Sequence, residues 1–334
     1  MARRVGLVGF GLAGSVFHAP LIDATDGLEL ATVITRNPER AAQARGRYSG
    51  VEVAADAQAA LEGHDLVVVA TPNDSHADVA RAAIEAGIAV VVDKPLAPTA
   101  AQARELVELA ERRGVGLTVF MNRRWDSDHL TVGRLIADGR LGDVLLNQSR
   151  FERWKPKPAE AWRETLTPEA GGGVLLDLGT HLVDQALGLF GAVRSVYGEV
   201  SHRRGGPADD DAFIALEHES GVRSHLRASI VEPAPGPRLR VSGTEAAYLV
   251  EAVDGQEDAL RAGDRPGPGW GVESRERWGR LVRGSEEEPI EPEPGAWPKF
   301  YAQVAAALAD SGPMPVDPRD AVTVLETLER ARAG

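Results

Sequence analysis

Residues 5–14 read Val-Gly-Leu-Val-Gly-Phe-Gly-Leu-Ala-Gly, an apolar run followed at once by a glycine-rich hexapeptide. The hexapeptide has the spacing G-x-G-x-x-G, and it stands between a strand-like run and a helical pattern, the context in which this spacing is informative. In a Rossmann unit the first glycine permits a tight turn, the second lets the backbone approach a pyrophosphate, and the third lets the helix pack on the strand. The pyrophosphate then lies at the positive end of the helix. We therefore predict a dinucleotide site formed by Gly9, Phe10, Gly11, Leu12, Ala13 and Gly14.

Apolar runs recur along the rest of the N-terminal third. They lie at 30–34, 66–70, 89–92 and 116–120, and helical patterns at 77–86 and 99–113 alternate with the later ones. Gly87 and Gly114 stand where those helices would end. Unbroken Val-rich strands are typical of a parallel sheet covered on both faces. Residues 1–121 are therefore predicted to form a doubly wound α/β domain of the Rossmann type.

The pattern changes after residue 121. A chain of 334 residues exceeds the size at which one hydrophobic core keeps growing, so two domains are expected. Alternating runs between 195 and 250 indicate a large, mostly antiparallel sheet. The segment 263–295 is rich in Gly, Pro and acidic residues and is predicted to be a solvent-exposed loop. Residues 122–334 are thus predicted to be an α+β domain, with a C-terminal helix able to pack back on the Rossmann domain.

The composition excludes several classes of protein. Hydrophobic residues make up 43% of the chain, enough for a sizeable core, and there is no cysteine. Disulfides, thiolate zinc sites and thiol nucleophiles are therefore impossible, and we expect no metal. The net charge of −13 disfavours nucleic-acid binding. Because neither a secretory signal nor an apolar stretch of membrane-spanning length is evident, we expect a cytoplasmic protein that binds neither nucleic acid nor membrane.

The second apolar run ends in Thr35-Arg36, where a carboxylate would normally bind the ribose hydroxyls of NAD. A guanidinium here can form paired hydrogen bonds with a ribose 2′-phosphate and stack on adenine, whereas an aspartate would repel the phosphate. We therefore predict that Thr35 and Arg36 select NADP over NAD. The alternative is that Arg36 is an ordinary solvated surface charge.

Polar residues follow the next strand-like run, in the order Thr71-Pro72-Asn73-Asp74-Ser75-His76. This edge of the sheet is where doubly wound folds bind their ligands. We predict that the cofactor ribose and nicotinamide are lined by Thr71, Pro72, Asn73 and His76. A capped turn, with Asp74 or Ser75 at the start of the next helix, is compatible with this role.

Two further elements carry groups suited to catalysis. Lys94 follows the strand-like run 89–92, where its ammonium could donate hydrogen bonds to substrate hydroxyls beside the nicotinamide; a surface lysine is the alternative. Residues 171–184 begin Gly-Gly-Gly and continue with helical spacing, which puts Asp177 and His181 about one turn apart. Histidine can accept a hydroxyl proton near neutral pH as hydride leaves the same carbon, although a single histidine on a helix is more often structural.

Taken together, these motifs resemble those of the Gfo/Idh/MocA family of oxidoreductases. The matching pieces span both halves of the chain in family order: 9–14, 17–20, 71–73 with His76, 93–95, and 171–184. The resemblance implies that Lys94, Asp177 and His181 hold the catalytic positions. His181 would accept the proton, Lys94 would orient and polarise substrate and cofactor, and Asp177 would bind a substrate hydroxyl or tune the histidine. The family often has Glu before its Lys-Pro pair, where this chain has Asp93.

The same resemblance implies that the second domain binds substrate and that the open face of its sheet forms homodimer or homotetramer contacts. Segments 17–20 and 122–128 are similar to the NADP-linked scyllo-inositol dehydrogenase branch. This similarity implies cofactor contacts from Asn122, Trp162 and Arg163. It implies substrate contacts from Arg124, Trp125 and Asp126, besides Lys94, Asp177 and His181. Packing at a domain hinge is the alternative for the segments around Arg124 and Trp162.

The expected function is reversible hydride transfer between NADP(H) and a secondary alcohol or ketone of a cyclic polyol or sugar. Two alternatives stay open, a regulator that binds NADP without turnover and a reductase of an unrelated ketone. A pure sensor would have no physical need for a positioned lysine and histidine.

Overall fold

A computed structural model of the chain describes residues 2–310 and 312–334. Its strands are β1 Arg3–Val8, β2 Leu28–Ile34, β3 Glu52–Ala54, β4 Leu66–Val69, β5 Ala89–Asp93, β6 Leu117–Phe120, β7 Val144–Glu152, β8 Val193–Ser201, β9 Asp211–His218, β10 Arg223–Ser229, β11 Leu239–Gly243, β12 Ala247–Val250, β13 Gly279–Arg283 and β14 Glu286–Ile290. Its α-helices are α1 Ala19–Asp23, α2 Pro38–Arg47, α3 His76–Glu85, α4 Ala100–Arg113, α5 Ser127–Ala137, α6 Trp162–Thr165, α7 Thr180–Phe190, α8 Gln256–Ala262, α9 Pro298–Asp310 and α10 Pro318–Ala333. Wider π-helical turns at Ala13–His18 and Leu175–Gly179 run directly into α1 and α7.

The described residues form two compact units. The first contains the chain up to Met121 together with Gln256–Pro268 and Trp297–Val322. The second contains Asn122–Gly255, Gly269–Ala296 and Thr323–Gly334. The chain therefore enters the second unit after residue 121 and returns twice to the first, which gains α8 and α9.

The sheet of the first unit is parallel throughout, with the strand order β3-β2-β1-β4-β5-β6. This order confirms the predicted Rossmann fold. The strand order reverses between β1 and β4: β2 and β3 follow on one side of β1, and β4, β5 and β6 on the other. In such sheets the crevice for a ligand opens at the carboxyl ends of the strands where the order reverses. The four residues of β4 are buried because helices cover the sheet, which explains their unbroken apolar run.

The ends of the sheet's helices carry the signals that the sequence displays. The Thr99 side chain accepts a hydrogen bond from the Gln102 backbone N–H at the start of α4. Gly114 ends the same helix at a φ of 65°, in the left-handed region that favours glycine. These caps fix the two ends of α4.

The second unit is built on an eight-stranded sheet in the order β14-β13-β12-β11-β7-β10-β9-β8. Only the β7–β10 pair is parallel among the pairs of this sheet in the described residues, which confirms the prediction of a large, mostly antiparallel sheet. One face packs on α5 and α7 through a core that includes Val132, Leu135, Phe190 and Tyr248. Along β7 the residues of the opposite face are only partly buried.

The last turns of α10 pack inside the second unit. A Cβ at Gly198 on β8 would overlap the backbone carbonyl of Ala331, so a glycine is required for the close approach of helix and strand. Arg332 pairs with Asp209 at 3.0 Å. The C-terminal end of the chain is thereby tied to the second sheet.

The prediction of a solvent-exposed loop over 263–295 is wrong for residues 279–290, where β13 and β14 form a hairpin. Gly284 turns the chain at a φ of 59°. The acidic run that suggested a loop lies on the edge strand β14, where arginines compensate its charge: Glu287 pairs with Arg280 at 3.5 Å and Glu288 with Arg140 at 2.7 Å. Charged residues on an edge strand also discourage pairing with other chains.

The short strand β3 gave no apolar run in the sequence because it has three residues, none of them fully buried. Across the two described ranges, no helix combines the length and the hydrophobicity needed to cross a membrane.

Candidate functional site

The three glycines of the loop after β1 serve different purposes. A Cβ at Gly9, whose φ is 99°, would overlap the carbonyl of Ala70, and a Cβ at Gly14 would overlap the carbonyl of Gly9. A Cβ at Gly11 would meet only the Nη1 atom of Arg40, at 3.8 Å. The protein's own packing thus requires two of the glycines, whereas the space above Gly11 is open. An open backbone at this position fits a bound pyrophosphate, which a side chain would exclude.

The other residues of the loop support this backbone. Phe10 is 2% exposed and packs edge-on against Tyr48, whereas Leu12 is 41% exposed. The Ser15 backbone N–H and hydroxyl both donate to the Gly11 carbonyl, at 2.9 and 2.7 Å. The Gly11 carbonyl is therefore paired within the helix. The first backbone N–H groups of a helix have no acceptor inside it, so this turn suits an anion.

Two exposed guanidiniums follow β2: Arg36 lies in the loop after the strand, and Arg40 lies on α2. Asn37 caps α2 by accepting the Arg40 backbone N–H at 3.0 Å, which places Arg40 in the first turn beside the glycine loop. No carboxylate of the described residues forms an ion pair with either guanidinium. Sequence reasoning missed Arg40; its position four residues after Arg36, at the start of a capped helix, was the available signal.

The loop after β4 is ordered by its own hydrogen bonds. The Ser75 hydroxyl donates to the Thr71 hydroxyl at 2.8 Å and lies 2.9 Å from the Pro72 carbonyl. Ser75 occupies the first position before α3, but no side-chain hydrogen bond caps this helix. Asn73 is 4% exposed. Thr71 and Pro72 remain at the sheet edge, where the cofactor of a Rossmann domain binds.

His76 joins two loops. Its Nδ1 lies 2.8 Å from the Pro95 carbonyl and its Nε2 lies 2.9 Å from the Thr71 carbonyl. The ring has no exposed surface, and burial lowers the pKa of His76 below its ordinary value. His76 therefore connects the loops that follow β4 and β5. This buried position does not support the prediction that His76 contacts the cofactor directly.

Lys94 leaves the carboxyl end of β5 and is partly exposed. The preceding Asp93 carboxylate accepts the Lys94 backbone N–H at 2.9 Å and lies 3.8 Å from Nε2 of His18. Burial alone would raise the pKa of Asp93, but the contact with His18 and the charge of Lys94 outweigh it and hold this pKa below its ordinary value. An ionised carboxylate therefore lies next to the lysine.

These groups meet at one edge of the first sheet. The glycine loop, Thr35, Thr71 and Lys94 follow β1, β2, β4 and β5 respectively. Because parallel strands present their carboxyl ends at the same edge, the glycine loop, two guanidiniums and an amine lie at one edge of this sheet.

In the second unit, three consecutive glycines lead into the helix that carries Asp177 and His181. A Cβ at Gly172 would overlap the Leu166 carbonyl, and a Cβ at Gly173, whose φ is 96°, would overlap the Asp209 carboxylate. The same carboxylate accepts the Leu175 backbone N–H at 2.7 Å. The glycines thus allow Asp209 to satisfy a free donor at the start of the helix. The following turn, Leu175–Gly179, is π-helical rather than α-helical.

Asp177 is brought together with two residues predicted to contact the cofactor. The Arg163 Nε donates to Asp177 Oδ1 at 3.2 Å, and the Arg163 guanidinium lies 4.4 Å from the centre of the Trp162 ring. The Arg163 carbonyl in turn accepts the Gly173 backbone N–H at 2.9 Å. Trp162, Arg163 and Asp177 therefore form one cluster beside the glycines.

His181 is 6% exposed and packs edge-on against Phe151, with 6.2 Å between ring centres. The Phe151 ring is also contacted by two buried guanidiniums, Arg123 at 4.7 Å and Arg238 at 4.1 Å. The imidazole thus lies next to an aromatic ring that cation–π contacts hold in place.

The segment 122–126 is tied down by ion pairs. Arg124 forms hydrogen bonds with both carboxylate oxygens of Asp184, and Arg123 pairs with Asp126 at 3.0 Å. Asn122 is 6% exposed, Trp125 is partly exposed, and Asp126 has no exposed surface. The prediction that Asp126 contacts a polyol gains no support from this placement. Arg124 and Trp125 keep surface available.

Comparisons with known proteins agree with this architecture. The model of the oxidoreductase family with an NAD-binding Rossmann fold matches residues 3–121, and that of the GFO/IDH/MocA C-terminal domain matches residues 129–249. The oxidoreductase YdgJ of Escherichia coli is 40% identical over 331 residues, covering 98% of this chain and 94% of its own. The scyllo-inositol 2-dehydrogenase (NADP(+)) IolW of Bacillus subtilis is 33% identical over 335 residues, covering 98% and 92%.

Solved structures agree as well. The oxidoreductase yvaA of Bacillus subtilis superposes with a TM-score of 0.91 at 32% identity, covering 100% of this chain and 97% of its own. An oxidoreductase of Yersinia pestis has a TM-score of 0.90 at 39% identity, covering 99% and 94%. With both family models matched and these identities sustained over almost the whole length, the chain belongs to the Gfo/Idh/MocA family of oxidoreductases.

Proposed function

We propose that the protein transfers a hydride reversibly between NADP(H) and a secondary alcohol or ketone of a cyclic polyol or sugar. The observation that carries the proposal is the first sheet's carboxyl edge, where the open Gly11 backbone, the guanidiniums of Arg36 and Arg40 and the amine of Lys94 come together. Two guanidiniums in place of a carboxylate favour a ribose 2′-phosphate. Relatives support the substrate class, since one is named an NADP-dependent scyllo-inositol dehydrogenase and another, 34% identical over 68% of this chain, a D-apiose dehydrogenase.

NADP, when bound, accepts a hydride from the substrate carbon or returns one to it. In the oxidation direction the C–H electron pair leaves the carbinol carbon and the O–H proton passes to the imidazole of His181. Lys94 donates a hydrogen bond to the same oxygen and stabilises the negative charge that develops there. Asp177, paired with Arg163 at 3.2 Å, accepts a hydrogen bond from a neighbouring hydroxyl and so orients the ring.

A substrate panel tests the proposal. Purified protein is assayed by NADPH absorbance with inositols, aldoses and ketoses, using NADP and NAD in parallel. We expect turnover with at least one polyol or sugar, a higher kcat/KM for NADP, and losses of about 100-fold or more in Lys94→Ala and His181→Ala, the scale of general acid–base catalysis. Unchanged activity in both variants would contradict the assigned roles.

The same panel separates the other functions. Tight NADP binding without turnover on any polyol, aldose or ketose would favour a regulator, and turnover confined to an unrelated ketone would favour the reductase. Location in the cytoplasm stays a prediction beside this proposal.

We further propose that a second copy of the chain covers the partly exposed face of the second sheet. Tyr197 on β8 is 51% exposed. It lies opposite Ala215 on β9, and Ala215 lies opposite His225 on β10, so the three residues are neighbours across the sheet. Phe213 packs edge-on against His225 at 5.9 Å. This aromatic centre suits a self-complementary contact.

Light scattering after gel filtration measures the assembly. We expect a dimer or tetramer, and a shift towards monomer for Ala215→Arg, because the new charge would be buried without a partner. Gln43→Arg, at an exposed position on α2, is the control that should leave the assembly unchanged. A monomeric wild-type protein at micromolar concentration would reject this interface.

A further inference from the structure

Behind Lys94 the first unit contains a buried polar set that the proposed mechanism does not use. It consists of His18, Asp93, His76 and Tyr301, all between 0% and 8% exposed. His18 is the last residue of the π-helical turn that begins at the glycine loop, and Tyr301 lies on α9. Polar groups this deep are costly to bury unless they satisfy one another.

The aromatic surroundings fix the orientation of the His18 ring. Phe120 lies 4.5 Å from the ring centre, and Tyr301 packs edge-on at 6.1 Å. The Tyr301 hydroxyl is 2.6 Å from Nδ1 of His18. Burial and the nearby Asp93 charge raise the pKa of Tyr301 well above its ordinary value, so the phenol keeps its proton.

This geometry decides which nitrogen of His18 carries hydrogen. The Nε2 atom is buried without a partner at hydrogen-bond distance, and Asp93 Oδ1 lies 3.8 Å away. A lone pair facing a carboxylate would be repelled, whereas an N–H is attracted. The consistent arrangement therefore has the Tyr301 O–H donating to Nδ1 and the Nε2–H directed at Asp93.

Asp93 connects this set to the lysine. Its carboxylate accepts the Lys94 backbone N–H at 2.9 Å. On the other side, His76 Nδ1 lies 2.8 Å from the carbonyl of Pro95, the residue after Lys94. The groups that face Asp93 from every neighbouring element are thus His18, Lys94, His76 and Tyr301.

We propose that His18 is a positioning residue: with Tyr301 behind it, it holds the Asp93 carboxylate in the direction that keeps Lys94 in its working orientation. The link to catalysis rests on the proposed function, whereas the effect on Asp93 does not. The helix that starts at the pyrophosphate loop would in this way also set the geometry of the amine.

Two substitutions of His18 distinguish the effect of its N–H donor from the effect of its side-chain volume. His18→Gln retains an N–H donor that can reach Asp93, and His18→Leu removes it at similar volume. In His18→Leu the carboxylate stays buried but loses its partner, so Asp93 takes up a proton at higher pH. We expect the pKa of Asp93 to rise by about one unit, the scale of a lost charge or hydrogen bond, and kcat to fall severalfold with the KM for NADP unchanged.

The Gln variant should restore the wild-type kcat, and His202→Leu, at an exposed histidine of the second unit, should leave kcat unchanged. Tyr301→Phe, which removes only the hydroxyl behind His18, should lower kcat as His18→Leu does, but by a smaller factor. Equal kcat for wild type, His18→Leu and His18→Gln would overturn the proposal.

A second readout needs no substrate. Carboxyl ¹³C NMR follows the titration of Asp93, with its signal assigned through Asp93→Asn, and thermal melts verify that each variant is folded. We expect the Asp93 titration to shift upward in His18→Leu and not in His18→Gln. If this shift is seen while wild-type protein turns over no substrate, the positioning of Asp93 stands and the proposed function fails. If turnover is seen while the Asp93 titration is the same in all variants, the positioning role fails alone.

Discussion

At the scale of single residues, the glycine loop separates what the fold needs from what a ligand needs. Gly14 is required by the backbone, since its Cβ would overlap the Gly9 carbonyl, whereas Gly11 has only the flexible end of Arg40 within reach, at 3.8 Å. The sequence alone treats the three glycines alike. Only the structure shows which one faces open space.

This difference predicts opposite phenotypes for two alanine substitutions. Gly14→Ala should lower the free energy of unfolding by about 1–3 kcal/mol, because backbone must move to relieve the overlap, and Gly11→Ala should leave the melting temperature nearly unchanged. Gly11→Ala should instead weaken NADP binding at least tenfold, because its methyl group occupies the approach of the pyrophosphate. Thermal melts and calorimetric titration with NADP measure the two effects. Equal NADP affinity in Gly11→Ala and wild type would contradict the assignment of this loop.

The two guanidiniums after β2 predict the choice of cofactor. Arg36→Ser and Arg40→Ser should each lower kcat/KM for NADP by roughly 10- to 100-fold, which corresponds to about 1.4–2.7 kcal/mol, with little change for NAD. Arg45→Ser, at an exposed position on the last turn of α2, is the matched control. A parallel loss for both cofactors would mean that the arginines act on the fold or on the pyrophosphate rather than on the 2′-phosphate.

At the scale of elements, the Rossmann strands were predictable because burial on both faces leaves an unbroken apolar run, as in Val67, Val68 and Val69. The β13–β14 hairpin was not, because its edge strand carries Glu286, Glu287 and Glu288, whose compensation by arginines depends on tertiary contacts. The local sequence shows the charges of the three glutamates but not the arginines that pair with Glu287 and Glu288 in the folded chain.

The candidate site shows the same division. Lys94 and the glycine loop were predictable because each follows a strand of regular pattern, whereas the contact between His18 and Asp93 joins residues 75 positions apart and leaves no local signal. The π-helical turn before His181 could not be predicted either. Within a single turn, the spacing of apolar residues is too short a pattern to distinguish a π-helix from an α-helix.

The start of the helix that carries Asp177 gives a prediction for this element. Asp209 accepts the Leu175 N–H at 2.7 Å and pairs with Arg332, and its side chain is fully buried. Asp209→Ala should lower the free energy of unfolding by about 1–3 kcal/mol, because the buried Leu175 N–H loses its acceptor. Glu219→Ala breaks the exposed pair with Arg194 at 3.6 Å and should cost less than about 1 kcal/mol. Urea denaturation of both variants checks the contrast, and similar losses would refute the capping role.

At the scale of the whole molecule, buried histidines make the stability of both units depend on pH. Burial lowers the pKa of His76 in the first unit and of His218 in the second below their ordinary value of 6.5. The unfolded chain therefore binds protons at a higher pH than the folded chain, so stability is complete above about pH 6.5 and falls as the pH decreases towards the folded-state values. Asp93 adds to the loss at lower pH, because its lowered pKa stabilises the fold only while the carboxylate is ionised.

Urea denaturation between pH 8 and pH 5 measures this dependence. Each histidine that stays neutral in the folded chain should contribute a slope of up to about 1.4 kcal/mol per pH unit below pH 6.5. His218→Asn should flatten the slope of the transition of the second unit, and His76→Gln that of the first, whereas the exposed His202→Asn should change neither. Because the two histidines belong to different units, a slope that responds equally to both substitutions would show that the units unfold as one cooperative body. A slope that responds to neither would mean that burial does not keep these rings neutral.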